Sequence, residues 1–180
     1  MQDEKVFIDR LLHPKTQHEA FRELLQLYQK PLYNHIRNIV LNHDDADDVL
    51  QNTFIKVFQN IKNFKGESKL FSWMYRIATN EALSFLQQKV KKQGVSSEEV
   101  QKNALNKLES DVFFDGDEIQ LKLQKAIATL PEKQQLVFKM KYFEELKYEE
   151  ISEIVDTSVG ALKASYHLAV KKIEEYLKVN

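Results

Sequence analysis

Apolar residues recur at steps of three and four along nearly the whole chain, and this spacing restricts the fold more than any other feature. Such steps place apolar side chains on one face of an α-helix. Only four glycines and three prolines interrupt the pattern in 180 residues, and the strict alternation typical of strands is nowhere sustained. The sequence therefore predicts an all-α protein.

The helical pattern weakens in one place, between Lys89 and Gly116. This stretch holds two of the four glycines and three serines, a composition typical of a linker between domains. We therefore predict two small helical domains, each with its own core. The domains are residues 1–90 and 117–180, and a flexible linker with at most a little transient helix covers residues 91–116.

Several classes of function are excluded by composition and motif. The chain has no cysteine, which removes disulfides, thiolate nucleophiles and cysteine-based zinc sites. Charges inside the first apolar stretch argue against a signal peptide, and no stretch is apolar for long enough to span a membrane. We expect a cytoplasmic protein without membrane insertion. No phosphate-binding glycine loop, HExxH pair or supported Ser/His/Asp set appears, so we expect no enzymatic activity, cofactor or metal.

Residues 148–173 have the pattern of a helix-turn-helix. Two apolar stripes, one per helix, flank a short break at Asp156 and Thr157, and Ser158 is a suitable N-cap for the second helix. Opposite the second stripe, small residues come first and cations later. Small side chains admit a recognition helix to the major groove, and lysines reach phosphates. This helix is predicted to bind duplex DNA; a helical hairpin that only packs against protein is the alternative.

The helix predicted over residues 44–63 has an apolar face and a polar face. Ile55 stands alone among polar side chains on the second face, which is typical of a docking surface with an apolar anchor and a polar rim. A lone exposed apolar residue is also ordinary in any soluble protein. Four aspartates at the start of this helix favour helix capping over a metal site, because their spacing is not that of a calcium loop. The buried stripe is predicted to be Leu50, Phe54, Val57, Phe58 and Ile61.

The stretch from 61 to 92, called the basic segment below, combines cations with aromatic rings. Seven cations and two acids give it a net charge of +5, although the whole chain carries −1. Aromatic rings among lysines suit single-stranded nucleic acid, where base stacking and phosphate attraction combine. At least half of these rings are expected to belong to the core instead. The four rings are Phe64, Phe71, Trp73 and Tyr75.

Two blocks of this sequence resemble a known family. The stretches "DDADDVLQNTFIKVF" and "FKGESKLFSWMYRIATN" resemble region 2 of bacterial RNA polymerase sigma factors of the extracytoplasmic-function group. The stretches "LPEKQQLVFKMKYFEELKYEEISEI" and "SVGALKASYHLAVKKI" resemble region 4. The resemblance covers about residues 5–90 and 117–178, without an intervening region 3. The sequence departs from the family pattern at Asp156, where the turn usually has a glycine, and at Ala164, Ser165 and Leu168.

The resemblance implies a promoter-specificity subunit of RNA polymerase. Such a subunit binds the clamp helices and flap of core polymerase, recognises the minus-10 and minus-35 promoter elements and promotes DNA melting. An anti-sigma factor is a possible further partner. Carried over by position, the resemblance assigns polymerase docking to Asp48, Gln51, Asn52 and Ile55. It assigns minus-10 contacts to Phe64, Lys65, Trp73, Arg76 and Asn80, with Asn80 on a flipped base, and minus-35 contacts to Ser158, Lys163, His167 and Lys171.

A second class of protein is also compatible with the helix-turn-helix. A stand-alone transcriptional regulator would bind duplex DNA as a dimer without polymerase. Such a regulator needs an apolar stripe for dimerisation. The unused apolar side chain that the sequence offers is Ile55, in the first domain, which favours the sigma factor.

Overall fold

A computed structural model describes residues 2–108, 111 and 116–179. The elements within these residues are helical and include no strand, which confirms the predicted all-α class. A 3-10 turn at Ile61–Asn63 follows the third helix. The α-helices are α1 (Gln2–Leu12), α2 (Gln17–Val40), α3 (His43–Asn60), α4 (Leu70–Gln93), α5 (Ser97–Leu108), α6 (Glu118–Ala128), α7 (Glu132–Tyr142), α8 (Tyr148–Val155) and α9 (Val159–Val179).

Helices α1 to α4 form the first half of the molecule. Helices α2, α3 and α4 pack against one another, and α1 lies on α2. Their apolar stripes meet in a core where Ile36, Val57 and Met74 have no exposed surface. Phe58 differs from the predicted stripe, because it lies at the edge of this bundle and stays partly exposed. Its ring packs edge-on against Phe21, with the ring centroids 4.9 Å apart.

The predicted linker contains more structure than its composition indicates. Helix α4 runs on to a C-cap at Gly94, whose φ of 66° suits a glycine. Helix α5 then buries Leu105 and Leu108, which cluster with apolar residues at the end of α2 and in α6. Residues 109–110 and 112–115 of the predicted linker lie outside the described residues. The division of the chain at residues 90 and 117 stays a prediction.

Helices α6 to α9 form the second half. Helices α6 and α7 both pack on α9, and α8 with α9 makes the predicted helix-turn-helix. The turn begins at Asp156, which has a left-handed backbone with a φ of 52°. Aspartate adopts this conformation more readily than most residues because its short polar side chain can bond locally. It therefore takes the place of the glycine that the family pattern has here.

The two halves pack against each other. Helix α8 lies on α4 and α7 contacts α2. One continuous core joins Met74 and Ala78 of α4 to Ile151 and Ile154 of α8. The sequence predicts two separate small cores, and the structure differs because the apolar stripe of α8 serves α4 as well as α9. None of the described helices has both the length and the hydropathy needed to cross a bilayer.

Candidate nucleic-acid and polymerase interfaces

The outward face of α3 carries the residues predicted to dock on polymerase. The helix is held at its start by Asn42, whose side-chain oxygen accepts a hydrogen bond from the N–H of Asp45 at 2.9 Å. Ile55 is 48% exposed although the opposite stripe of the same helix is buried. An apolar side chain thus reaches solvent on a rigid helix with polar neighbours. All four predicted residues are exposed, namely Asp48, Gln51, Asn52 and Ile55.

The predicted minus-10 residues, called the α4 surface below, lie in the loop before α4 and on its first three turns. Lys65, Arg76 and Asn80 are exposed, Trp73 is half-buried, and Phe64 is buried. The Phe64 ring packs against Trp73 with the centroids 5.2 Å apart. Asn80 and Trp73 therefore both reach solvent, whereas Phe64 supports Trp73 from behind.

The aromatic rings of the basic segment divide between core and surface. Tyr75 is buried against Phe71, with the ring centroids 4.1 Å apart. Burial raises the pKa of the Tyr75 hydroxyl, and the nearby carboxylate of Glu144 raises it further. Because Phe64 and Tyr75 are both buried, the expectation that at least half of the four rings belong to the core is confirmed.

Several cations of the basic segment already have acidic or carbonyl partners. The ammonium of Lys89 lies 2.5 Å from a carboxylate oxygen of Asp45, which joins the basic segment to the acidic start of α3. The Nε of Arg76 donates to the carbonyl oxygen of Glu153 at 3.0 Å. Part of the segment's net positive charge is therefore neutralised within the protein.

A cluster of polar side chains around the buried His35 was not predicted from the sequence. His35 of α2 has no exposed surface. Its Nδ1 lies 3.0 Å from the Glu144 carboxylate, and its Nε2 lies 2.8 Å from Oγ1 of Thr79. These partners are 109 and 44 residues away along the chain, so no local motif indicates the group. Nearby, burial lowers the pKa of the Lys139 ammonium to about 8, against the opposing effect of Glu144.

The face of α9 predicted to bind the minus-35 element, called the α9 face below, is open to solvent. Oγ of Ser158 accepts a hydrogen bond from the N–H of Ala161 at 3.3 Å, which confirms the predicted N-cap. A Cβ atom added at Gly160 would meet nothing within 4 Å, so the first turn of α9 is open to an approaching DNA duplex. The exposed residues of this face are Ser158, Lys163, His167 and Lys171.

Two protein-family models match this chain. The model described as Sigma-70 region 2 matches residues 24–92, and the model described as Sigma-70, region 4 matches residues 120–173. The first range contains α3 and the whole α4 surface, and the second contains α8 and the α9 face. All predicted site residues therefore fall inside a matched region.

Relatives of established family share most of the length of the chain. The extracytoplasmic-function RNA polymerase sigma factor SigW of Bacillus subtilis (strain 168) is 28% identical over 173 residues, covering 91% of this chain and 92% of the relative. The RNA polymerase sigma-H factor of Pseudomonas aeruginosa is 30% identical over 167 residues, covering 88% and 86%. These alignments span both halves of the molecule.

Solved structures share the fold. CnrH, solved in complex with the cytosolic domain of CnrY, is 15% identical with a TM-score of 0.71 and 98% of each chain covered. The sigma factor RpoE of Bartonella quintana, solved with the anti-sigma factor NepR, is 20% identical with a TM-score of 0.67, covering 90% of this chain and 99% of that one. Sigma factors are promoter-specificity subunits without enzymatic activity. The chain belongs to the sigma-70 family, as a sigma factor of the extracytoplasmic-function group.

Proposed function

We propose that this sigma factor docks on core polymerase through α3, captures the melted minus-10 strand on the α4 surface and binds the minus-35 duplex with the α9 face. The observation that carries the proposal is the exposure of polar faces on helices whose opposite stripes are buried. A helix that gives one face to the core and keeps a patterned second face in solvent has a surface ready for a partner.

The α4 surface has the chemistry needed to hold a base outside the duplex. Trp73 offers a ring for stacking, and the exposed amide of Asn80 both donates and accepts hydrogen bonds. Flipping a base costs a few kcal/mol, which stacking and hydrogen bonds in a shaped pocket offset. Lys65 adds a cation for the backbone of the same strand.

The α9 face has the chemistry needed to bind intact duplex. Gly160, Ala161 and Ala164 let the first turns approach the floor of the major groove. Lys163 and Lys171 follow on the same face, where their ammonium groups reach phosphates on either side of the groove. His167 lies between these lysines and completes the surface.

The proposed partners and cellular location are those typical of the family. Region 2 meets the clamp helices of core polymerase and region 4 meets the flap. Both solved structures above are complexes, and one of them holds a sigma factor with a protein named as an anti-sigma factor. We propose that an anti-sigma factor also controls this chain. Its place of action is the cytoplasm, where polymerase and chromosome meet.

Specific initiation by a reconstituted holoenzyme tests the function. Core polymerase, this chain and a library of promoter fragments should give transcripts with defined start sites, and a chain that leaves initiation unspecific on every fragment contradicts the proposal.

The docking face has its own test. Ile55→Arg should weaken binding to core polymerase by about 30-fold, because a central apolar anchor is typically worth about 2 kcal/mol. Leu27→Arg is the matched control, since Leu27 is 57% exposed on α2 and lines a cleft with residues of α1. Equal affinities of the two variants would remove Ile55 from the interface.

A further inference from the structure

A cleft of about 750 Å³, called the α5 cleft below, lies between the ends of α2 and α4, helix α5 and the start of α7. Its walls are mostly apolar, and its volume is in the range typical of small-molecule sites, about 300–1,000 Å³. The residues assigned above to DNA and polymerase lie outside it. The apolar lining includes Val40, Leu83, Leu86, Val90, Ala104 and Leu136.

Hydrogen bonds between side chains fix one wall of the α5 cleft. The amide of Gln101 in α5 donates to the side-chain oxygen of Gln135 in α7 at 2.6 Å. The amide of Gln135 also donates to the carbonyl oxygen of Leu130 at 2.8 Å. All three residues line the cleft. Because these bonds join α5 to α7, the cleft is a defined part of the fold.

Lys139 of α7 lines the same cleft, although it is only 4% exposed. In the part of the chain that the structure describes, its ammonium has no hydrogen bond or ion pair. The Glu144 carboxylate acts on it from beyond ion-pair distance and is itself bonded to His35 at 3.0 Å. A buried cation without a partner is costly, because nothing replaces its lost hydration. An anion in the cleft would neutralise it.

The other charged groups around the α5 cleft also favour an anion. Four lysines and two glutamates line it, which gives a net charge of +2. Both glutamates are exposed, whereas Lys139 is buried. The Lys89 ammonium lies 2.5 Å from a carboxylate oxygen of Asp45, so its charge is already paired. The charged lining residues are Lys89, Lys91, Glu98, Glu132, Lys139 and Lys172.

We propose that the α5 cleft binds an amphipathic monocarboxylate, with the carboxylate on the Lys139 ammonium and the hydrocarbon chain along the apolar walls of α2, α4 and α5. A carboxylate neutralises the buried charge and accepts its hydrogen bonds. A hydrocarbon body is favoured over a sugar or a nucleotide, because mostly apolar walls offer such polar ligands few hydrogen-bond partners. The site is additional to the promoter function proposed above and does not depend on it.

Three probes separate the head of such a ligand from its body. Octanoate has both parts, octanol has the hydrocarbon body with a neutral head, and acetate has the carboxylate alone. In calorimetric titration of the full chain at pH 7, octanoate should bind at least about tenfold more tightly than either of the others, because the charged bond and the buried chain each contribute. Octanoate binding that is absent, or no tighter than that of octanol or acetate, overturns the proposal.

Replacement of Lys139 tests the contact with the carboxylate. Lys139→Met removes the cation and keeps a long side chain, so octanoate should bind at least about tenfold more weakly than it binds the parent chain, whereas octanol should bind no more weakly. Lys133→Met, at an exposed position of the same helix, is the matched control and should bind octanoate as the parent does. An equal loss in both variants would assign the effect to overall charge and contradict the contact.

A bulkier side chain on α5 tests the place of binding. Ala104→Trp puts a ring into the cleft, and Asn103→Trp adds the same ring at the exposed neighbour. Ala104 lies outside both matched regions, so the sigma regions keep their own residues. Ala104→Trp should weaken the binding of both octanoate and octanol, and Asn103→Trp should weaken neither. Unchanged octanoate binding by Ala104→Trp would place the ligand elsewhere and overturn the site.

A pH series on the parent chain tests the same contact without a variant. Burial lowers the pKa of the Lys139 ammonium to about 8 in the free protein, against the opposing effect of Glu144. Because octanoate binds the protonated form, its affinity should be about tenfold lower at pH 9 than at pH 7. The affinity of octanol should not fall. Lys139→Met should lose this pH dependence, which separates Lys139 from His35 and from the other lysines of the cleft. An octanoate affinity that is constant from pH 7 to 9 in the parent chain overturns the proposal.

Discussion

The α9 face and the α4 surface are both assigned to DNA, yet they differ in how accessible they are. All four residues of the α9 face are exposed, and its helix begins with a cap made inside region 4. On the α4 surface, Phe64 is buried behind Trp73, and Arg76 is bonded to the Glu153 carbonyl of the opposite half. One surface is formed wholly within its own region, whereas one residue of the other, Arg76, also contacts region 4.

The difference follows from the two ligands. Duplex DNA has a fixed groove and regular phosphates, so a rigid helix can match it before binding. A melted strand is available only after base pairs have opened. Rings and cations left exposed for it would bind any single-stranded nucleic acid, because stacking and phosphate attraction have little sequence preference. Holding the Phe64 ring in the core and the Arg76 guanidinium on the Glu153 carbonyl limits such binding.

The largest effect on stability is expected at Lys139 of α7, whose side chain is buried. Burial lowers the pKa of its ammonium from 10.5 to about 8. Below pH 8 the folded and unfolded chains both hold the proton, so the full cost of burying the charge lowers the stability of the parent chain. Between pH 8 and 10.5 the unfolded chain keeps the proton while the folded chain releases it, so stability rises with pH. A fall in the pKa from 10.5 to about 8 corresponds to about 3 kcal/mol.

Lys139→Met should therefore be more stable than the parent chain by up to about 3 kcal/mol at pH 7, and the difference should shrink towards pH 10.5. Urea unfolding at pH 7, 8.5 and 10 measures it. Lys133→Met on the exposed side of the same helix is the control and should show no such trend. A constant difference across the pH series would mean that Lys139 is as well solvated as the lysines of the α9 face.

A smaller effect is expected from Asn80 on the α4 surface. Asn80→Ala removes an amide that can bond a base edge, a contact typically worth about 1–3 kcal/mol. Promoter opening should slow by about tenfold while closed-complex formation, which uses the α9 face, stays unchanged. Permanganate footprinting with time resolves the two steps, and Gln88→Ala, exposed further along α4, is the control. Normal melting by Asn80→Ala would leave Asn80 without a role in strand capture.

Much of each surface could be predicted from the sequence, because it depends on local patterns. The stripe of α8 and the cap at Ser158 both follow from side chains within a few residues of each other. The same reasoning predicts α8 at residues 148–155, where the structure has it. Ile55 likewise stands out as apolar on an otherwise polar face. Such features depend only on neighbouring residues, so they can be predicted without the tertiary fold.

The contacts between the two halves of the molecule could not be predicted in this way. His35 and Glu144 meet across 109 residues, and Arg76 bonds a backbone carbonyl 77 residues away. A carbonyl carries no sequence signature, and a single histidine on a helix resembles any other polar residue. Helix α5 could not be predicted for a related reason. Its few apolar residues pack against residues of α2 and α6, so the sequence of α5 alone does not indicate that they are buried.

The smallest effect is expected from the lysines of the α9 face. Replacing Lys163 and Lys171 with Ala should weaken holoenzyme binding to a minus-35 duplex a few-fold and lower the salt slope of log affinity by about 1.8, because each phosphate contact contributes about 0.9. Lys122 and Lys125, exposed on α6, form a control pair with the same change in net charge. Equal slopes for the two double variants would mean that only overall charge matters. A lower slope for Lys163 and Lys171 alone would mean that the α9 face meets phosphates directly, as a surface that is open before binding should.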